Sequence, residues 1–262
     1  MHADGWPTEY AAVAQARGLR GLIVTCHNPM PDGFSAPVRM REDQFDQYVD
    51  LVAQTRTHWL DRVDVRLGIE ADYFEGHERY LEKQLQSADF HFVLGSVHPQ
   101  IAEWRAKYWQ DDLLEVQRTY FRLLAQAAET GLFDSMAHPD LIKNFTSKRW
   151  NLDAIMPDVC AALDRIAAAG VAMELNTSGV NKTISEMNPN PTMLREMCQR
   201  SIPVTIGADA HQPERVADGY ETALQLLKEC GYTNVSLFLD RQRRELAIDE
   251  VLDSLVHPSA TS

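Results

Sequence analysis

Short apolar segments alternate with amphipathic stretches along nearly the whole chain. Segments rich in valine, isoleucine and leucine, and bounded by turn-forming residues, are typical of strands that are buried on both faces. The pattern predicts strands at 21–27, 63–70, 90–98, 133–138, 171–176, 204–206 and 235–239. Most of these strands end in a polar residue or run into one shortly afterwards, so their carboxyl ends are the places to look for chemistry.

Between the apolar segments, hydrophobic residues recur at helical spacing, as Phe45, Tyr48 and Val52 do. Prolines near the beginning and glycines just past the end delimit several of these stretches. The pattern predicts helices at 7–17, 41–59, 78–86, 113–130, 155–169, 193–199, 215–230 and 248–255. Alternating strands and helices indicate an α/β fold in which parallel strands are joined by helical crossovers. So many units in one chain favour a closed or nearly closed barrel over an open sheet.

Length and composition agree with one globular domain. The chain has 262 residues, 45% of them hydrophobic, which is enough for a full core. We expect residues 1–256 to form a single domain and 257–262 to be a disordered tail. The four cysteines lack C-x-x-C spacing, which argues against a disulfide framework or a zinc ribbon.

Charge and targeting signals restrict the partners. The formal net charge of -13 disfavours binding to nucleic acid and to anionic membranes. No apolar segment is long enough for a transmembrane helix, and no signal peptide is recognisable, so we predict a cytoplasmic protein without membrane contact.

The candidate chemistry lies at the predicted strand ends. Four imidazoles and two carboxylates occupy these positions, namely those of His27, Glu70, His98, His138, Asp209 and His211. In a parallel barrel they converge on one edge, where histidines and carboxylates together are typical of a metal centre. Asp209 and His211 alone would fit an ordinary strand-to-helix turn, and only the repetition at other strands favours a polynuclear metal site. Four other histidines serve as an internal contrast, since no predicted strand ends at His58, His77, His91 or His257.

The sequence resembles the polymerase-and-histidinol-phosphatase (PHP) family, and within it the histidinol-phosphate phosphatases. The resemblance spans nearly the whole chain in order and is carried by the segments 2–5, 25–31, 68–73, 94–98, 131–133, 137–143, 176–179 and 207–211. It implies a distorted (β/α)7 barrel, similar to a TIM barrel, with two or three divalent metal ions: zinc, manganese or iron.

The resemblance also implies how the metal ligands divide. His2, His27 and His211 would bind one ion. Glu70, His98 and His138 would bind a second, with Glu70 as a bridge. Asp209 and Glu70 would face the remaining ion.

The sequence departs from the family pattern in two places. Family members begin with a strand that ends in His-x-His, and no such segment precedes His2. The first strand of the barrel is therefore expected to be missing. We interpret the start as an internal or misassigned Met, because losing a barrel strand exposes an edge; the alternative is a genuine variant with two metals. The second departure is Cys26, where the family commonly has Asp.

The activity that the resemblance implies is metal-dependent hydrolysis of a phosphate monoester, most specifically of L-histidinol phosphate in histidine biosynthesis. Glu70, Asp209 and His211 are the predicted catalytic residues, the last two also as candidates for proton transfer to the leaving alcohol. Arg39 and Lys143 are predicted to bind the substrate phosphate, with Arg149 and Lys182 as further candidates.

Two alternatives stay open at this point. One is a related phosphoesterase that acts on another small phosphate ester, because a fold and a metal site specify the bond better than the leaving group. The other is a catalytically impaired variant that binds metal or phosphate. The absence of the His-x-His segment is the reason for considering it.

Overall fold

A curled sheet of parallel strands organises the molecule, and the computed structural model describes residues 3–255 of it. In chain order, the elements are α1 (Pro7–Ala16), β1 (Gly21–Val24), α2 (Phe45–Trp59), β2 (Asp64–Asp72), α3 (Glu78–Leu85), β3 (Phe92–Ser96), α4 (Ala102–Tyr108), α5 (Leu113–Glu129), β4 (Ser135–Met136), α6 (Ile142–Phe145), α7 (Leu152–Ala169), β5 (Ala172–Asn176), α8 (Pro191–Gln199), β6 (Val204–Gly207), α9 (Tyr220–Glu229), β7 (Asn234–Leu239), β8 (Gln242–Ala247) and α10 (Ile248–Ser254).

The six strands β1 to β6 are hydrogen-bonded in sequence order, and every pair is parallel. Consecutive parallel neighbours need a crossover between them, and the intervening helices provide it. The sheet curls into a half-barrel, so the predicted α/β architecture with a barrel-like parallel sheet is confirmed. The carboxyl ends of all six strands therefore face one side of the molecule.

Helix ends follow local capping chemistry. The Asp112 side chain accepts hydrogen bonds from the amides of Leu114 and Glu115 at the start of α5. Gly170, at φ +70°, ends α7 in the left-handed conformation that glycine adopts without steric cost. The helix predicted at 215–230 begins only at Tyr220, because a 3₁₀ turn at Pro213–Arg215 is separated from it by residues with positive φ.

The core lies between the sheet and the helices that cover it. Ile69 and Val93 on the strands and Tyr120 and Phe121 on α5 are buried in the same cluster. Gly95 makes room for this packing, since a Cβ atom there would lie 2.4 Å from the Phe133 ring. The helices α4 and α6 were not expected from the sequence; α4 buries Trp104 against this core.

The structure corrects the predicted pairing of the last strand. β7 does not extend the parallel sheet; it pairs antiparallel with β8, and the two form a separate hairpin. Leu239 and Gln242 face each other across a two-residue turn in which Asp240 and Arg241 both have positive φ. The usual sequence signal of such a turn is Asn-Gly or Asp-Gly. Asp-Arg gives no such signal, and the mostly exposed, charged residues of β8 give no apolar segment either.

The remaining predictions concern the cysteines, membrane-spanning helices and the two ends of the chain. All four cysteines are free thiols. Within residues 3–255, every helix is too short or too polar to cross a bilayer. The single-domain boundary at residue 256 stays a prediction, and the proposed tail at 257–262 lies outside the described residues, as does His2. The expectation that the first strand of the barrel is missing stays a prediction, since the described residues begin at residue 3.

Candidate metal centre

Glu70 is the centre of the site, because its carboxylate reaches three imidazoles from three other strand ends. Oε1 lies 3.2 Å from Nε2 of His138 and 3.4 Å from Nε2 of His98, and Oε2 lies 3.5 Å from Nδ1 of His27. The histidines follow β1, β3 and β4, and Glu70 belongs to β2. Strand register thus brings together four residues that are far apart in sequence, as expected for parallel strands that end at one edge.

The four side chains form a compact and buried cluster. The ring centroids of His27 and His98 are 5.0 Å apart, as are those of His98 and His138. Side-chain exposure is 12% or less for each histidine and 9% for Glu70. Glu70, His98 and His138 each offer one ligand atom, and these atoms lie within 4.8 Å of one another.

The surroundings favour an ionised carboxylate at Glu70 and a neutral ring at His27. Burial by itself raises the pKa of Glu70, but His27, His98 and His138 outweigh it and hold that pKa below its ordinary value. Burial lowers the pKa of His27, which favours the neutral ring that metal ions require. An ionised carboxylate among imidazoles, all nearly shielded from water, is a donor set that suits a divalent metal such as zinc, manganese or iron. The residues present therefore fit the metal that the sequence predicted.

Asp72 is a contributor that the sequence analysis did not include. It accepts a hydrogen bond from Ser96 Oγ at 2.6 Å and contacts Nδ1 of His98 and the Arg39 guanidinium. His98 and Arg39 hold the pKa of Asp72 far below its usual range despite burial. The signal was present in the sequence, because Asp72 follows Glu70 by two residues on one strand and so points to the same face.

Asp72 also completes a second group of potential ligands with His27 and His98. Its carboxylate is, however, already held by Arg39 and Ser96, while Nδ1 of His98 faces it. This is the arrangement in which a carboxylate orients a metal-binding histidine, leaving Nε2 of His98 directed at Glu70.

The two predicted phosphate ligands, Arg39 and Lys143, are both buried. Arg39 is 8% exposed and donates to the backbone oxygen of Asn28 at 3.1 Å while it pairs with Asp72. Lys143 is fully buried, and its ammonium donates to Asp140 at 3.0 Å and to the Met187 carbonyl at 2.8 Å. Its third neighbour is Glu186 Oε1, at 3.1 Å. The phosphate role of Lys143 thereby loses its support, because three oxygen partners occupy its three protons.

Asp209 and His211 follow β6 at the same edge of the sheet but belong to neither of the groups just described. Asp209 Oδ2 accepts from Ser178 Oγ at 3.0 Å and lies 3.9 Å from the Lys182 ammonium. His211 Nδ1 is 2.9 Å from the carbonyl oxygen of Asp209, which favours a proton on Nδ1 and leaves Nε2 as the basic nitrogen. The proposed grouping of His211 with His2 cannot be followed, since His2 lies outside the described residues.

Two further residues bear on the predicted site. Glu174 on β5 is a buried carboxylate that the sequence analysis passed over; it accepts from the His138 amide at 2.9 Å, and burial raises its pKa to about 7. Its signal was a single acid within an otherwise apolar strand. Cys26, which stands where the family commonly has Asp, is exposed and contributes to neither ligand group among the described residues.

Comparisons with known proteins point in one direction. The PHP domain profile matches residues 1–178. A probable histidinol-phosphatase of Deinococcus radiodurans is 38% identical, with 90% of this chain and 91% of that protein covered. The histidinol-phosphatase of Bacillus subtilis is 23% identical, with 83% and 91% covered. Histidinol phosphate phosphatase of Lactococcus lactis, solved with zinc, L-histidinol and phosphate, superposes with a TM-score of 0.78 at 20% identity, covering 92% of this chain and 94% of that one.

Proposed function

This chain belongs to the PHP domain family, and from that premise we propose that it is a metal-dependent phosphomonoesterase that hydrolyses L-histidinol phosphate to L-histidinol and phosphate. The observation that carries the proposal is the contact of Glu70 with His27, His98 and His138. The relative that shares 38% identity over 90% of the chain bears the name of this activity, and it supports the choice of substrate.

The metal would be held by Glu70, His98 and His138, with His27 on the other side of the Glu70 carboxylate. Divalent ions bound there would supply Lewis acidity, which would neutralise negative charge on the phosphate oxygens and lower the pKa of coordinated water. Asp72 keeps Nδ1 of His98 occupied, so that Nε2 is the nitrogen presented to the ion. Zinc is the first candidate because the Lactococcus protein holds it; two or three ions, with manganese or iron as the other candidates, remain our proposal.

The reaction requires a water oxygen to bond to phosphorus, the P–O ester bond to break, and a proton to reach the leaving alcohol. Asp209 and His211 are the residues we assign to that proton, since both lie beyond β6 at the edge where the ligands converge. Ser178 Oγ contacts Asp209 Oδ2 at 3.0 Å at this edge.

A cation for the substrate phosphate is also required. Lys182 fits this task better than Lys143, because its side chain is 30% exposed and its ammonium lies 3.9 Å from Asp209. Arg39 remains a predicted phosphate ligand, although its contacts make it a structural partner of Asp72. Arg149, the other cation considered, lies in the turn Ser147–Arg149.

The remaining features of the proposal are a small phosphate ester as the partner and the cytoplasm as the location. The absence of nucleic-acid binding follows only from the net charge of -13 and stays a prediction. The cytoplasmic location is likewise inferred from the sequence.

The test compares phosphate release from L-histidinol phosphate with release from p-nitrophenyl phosphate and from other small esters, after loading with zinc, manganese or iron. We expect a clear preference in kcat/KM for L-histidinol phosphate. Turnover of other esters without histidinol phosphate would refute the substrate, and bound metal without turnover of any ester would refute the activity.

A matched pair of variants ties the activity to the site. Glu70→Gln removes the charge that the three imidazoles surround, whereas Glu82→Gln makes the same change at an exposed position of α3. We expect the first to lose more than about 100-fold in kcat/KM, since losing an outer partner of a metal ligand already costs 10 to 100-fold. Glu82→Gln is expected to match the wild type.

A further inference from the structure

β5 lies between β4 and β6 in the sheet, and three polar side chains at its carboxyl end reach the neighbours on both sides. These are Glu174, Asn176 and Ser178, spaced two residues apart. Alternation along β5 directs Glu174 and Asn176 to the same face, and Ser178 follows them in the 3₁₀ turn Thr177–Asn181. The chain thus places three hydrogen-bonding groups between His138, which follows β4, and Asp209, which follows β6.

Glu174 binds the main chain of His138, not its ring. Its Oε2 accepts from the His138 amide at 2.9 Å. His138 has a φ of +27°, a conformation that residues other than glycine rarely adopt and that the surroundings must stabilise. In this conformation the His138 ring reaches Glu70 Oε1 at 3.2 Å. The Glu174 carboxylate thus binds the amide side of this backbone, while Tyr120 Oη and the Leu141 amide contact the His138 carbonyl oxygen at 3.4 Å and 3.0 Å.

Asn176 and Ser178 extend this contact to Asp209. The Asn176 side-chain amide donates to Glu174 Oε2 at 3.0 Å, and its Oδ1 accepts from the Ser178 amide at 3.0 Å. Ser178 Oγ lies 3.0 Å from Asp209 Oδ2. Asp209 also has a positive φ, of +47°. Both candidate site residues with unusual backbone conformations are thus linked to the end of β5.

Gly207 on β6 leaves the space that Glu174 occupies. A Cβ atom at position 207 would lie 1.9 Å from Glu174 Oε1 and 2.9 Å from its Cδ. No side chain other than glycine's is compatible with the carboxylate in this place. The sequence therefore carries two independent features, an acid at 174 and a glycine at 207, that serve one contact.

We propose that Glu174 is a positioning residue that fixes the main chain of His138, so that the imidazole is pre-organised to bind metal opposite Glu70. This inference rests on the proposed function and deepens it. Glu174 acts by accepting hydrogen bonds through one oxygen. It is neither a metal ligand nor a group that touches the substrate.

Metal affinity is the decisive measurement, obtained by competition of the purified full chain with a chelator for zinc. Glu174→Ala is expected to weaken zinc binding by about 10 to 100-fold, as the loss of partners around a ligand commonly does. Glu174→Gln retains an oxygen that accepts from the same two donors, so we expect its affinity to stay within about fivefold of the wild type.

A second set of variants tests the contact from the other side. Gly207→Ala should displace Glu174 and weaken zinc binding as Glu174→Ala does. The double variant should be no weaker than Glu174→Ala alone, because the smaller residue at 174 removes the clash. Ser135→Ala is the control: it deletes a buried hydrogen bond, 3.0 Å long, between Ser135 on β4 and Thr205 on β6, and should leave zinc affinity unchanged.

The outcomes separate the inference from the function on which it rests. If Glu174→Ala binds zinc like the wild type, or if Ser135→Ala weakens binding equally, the positioning role is refuted. If Glu174→Gln is as weak as Glu174→Ala, the carboxylate acts through its charge as a ligand, which also refutes it. A wild-type chain that binds no zinc, manganese or iron would refute the proposed function itself.

Discussion

Asp72 shows how a single carboxylate can set the chemistry of a neighbouring imidazole. Its carboxylate contacts Nδ1 of His98 and accepts from Ser96 Oγ at 2.6 Å, and its backbone amide donates to Asn28 Oδ1 at 2.9 Å. A carboxylate behind a metal-binding histidine fixes the ring orientation and makes the ligand more basic. The strength of metal binding at His98 should therefore depend on a residue that need not touch the ion.

The first prediction concerns this carboxylate. Asp72→Asn should weaken zinc binding by about 10 to 100-fold, because the neutral amide no longer stabilises the imidazole proton on Nδ1. Competition with a chelator measures the change. Asp61→Asn, at an exposed position after α2, is the matched control and should bind zinc as the wild type does. Equal affinities of the two variants would contradict the assigned role.

The second prediction separates two roles for Arg39. Both Arg39 and Asp72 have side chains only 2% exposed, and removing one partner of a buried ion pair typically costs about 3 to 5 kcal/mol. Arg39→Met should therefore lower the free energy of unfolding by about 3 kcal/mol or more, measured by urea denaturation. Arg41→Met is the control, because its partner Asp43 is exposed and such pairs contribute little. Unchanged stability together with weaker inhibition by inorganic phosphate would instead support the role in phosphate binding.

The sequence was informative about residues to different degrees. Histidines at strand ends could be recognised because an imidazole has little reason to recur there. Asp72 was missed because the predicted strand ended at Glu70, two residues earlier, whereas β2 continues to Asp72. Glu174 was missed because it lies within a strand, where position alone does not separate an outward acid from a buried one. Only the neighbours that the fold supplies, Arg39 for one and the His138 amide for the other, explain why these acids are tolerated.

At the level of elements, the β7–β8 hairpin is tied to the half-barrel through its turn. Arg241 donates through Nε to the Asp134 carboxylate at 3.1 Å and through Nη2 to the Leu132 carbonyl at 2.7 Å. Asp134 Oδ2 also accepts from the Val93 amide at 2.7 Å, at the beginning of β3. The contact lies at the amino ends of the strands, away from the candidate metal centre.

The third prediction follows from this contact. Burial raises the pKa of Asp134, and Arg241 opposes that shift. Because a raised folded-state pKa costs stability once the pH exceeds it, removing Arg241 should raise this pKa further and enlarge the cost at neutral pH. Arg241→Ala should lower the free energy of unfolding by about 1 to 3 kcal/mol near pH 7, and less as the pH falls through the pKa of Asp134.

Denaturation at several pH values measures this effect, and phosphatase activity should be unaffected. The double variant Asp134→Asn, Arg241→Ala supplies the control, since without the carboxylate the dependence on pH should disappear. A loss of stability that is the same at pH 4 and pH 8 would contradict the explanation.

Strands and helices could be predicted where apolar segments recur. They could not be predicted where the backbone conformation of a turn determines the pairing. The six parallel strands follow from buried segments that alternate with helices. The pairing of β7 was missed because the turn at Asp240 and Arg241 adopts positive φ without glycine or asparagine, and because β8 exposes most of its residues. A contact with Asp134, more than a hundred residues earlier in the chain, is what stabilises this turn.

For the molecule as a whole, the parallel sheet explains why one small cluster can depend on residues from most of the chain. His27 and His138, from distant parts of the chain, both contact Glu70. Glu174 on β5 binds the His138 amide, and Asp209 after β6 contacts Ser178. A ligand that binds only this folded arrangement must stabilise the entire domain, because the unfolded chain does not preserve the cluster.

The fourth prediction is therefore that metal removal lowers the stability of the whole protein. At a free zinc concentration 100-fold above the dissociation constant, binding contributes about 2.7 kcal/mol. For a chain of this length that corresponds to a rise in Tm of about 5 to 11 °C over the chelated protein. Calorimetric scans with zinc and with excess chelator give this difference directly. Glu70→Gln provides the control, because a chain that has lost the central carboxylate should unfold at the same temperature in both conditions. If the chelator leaves the Tm of the wild-type protein unchanged, the buried imidazoles around Glu70 do not bind metal.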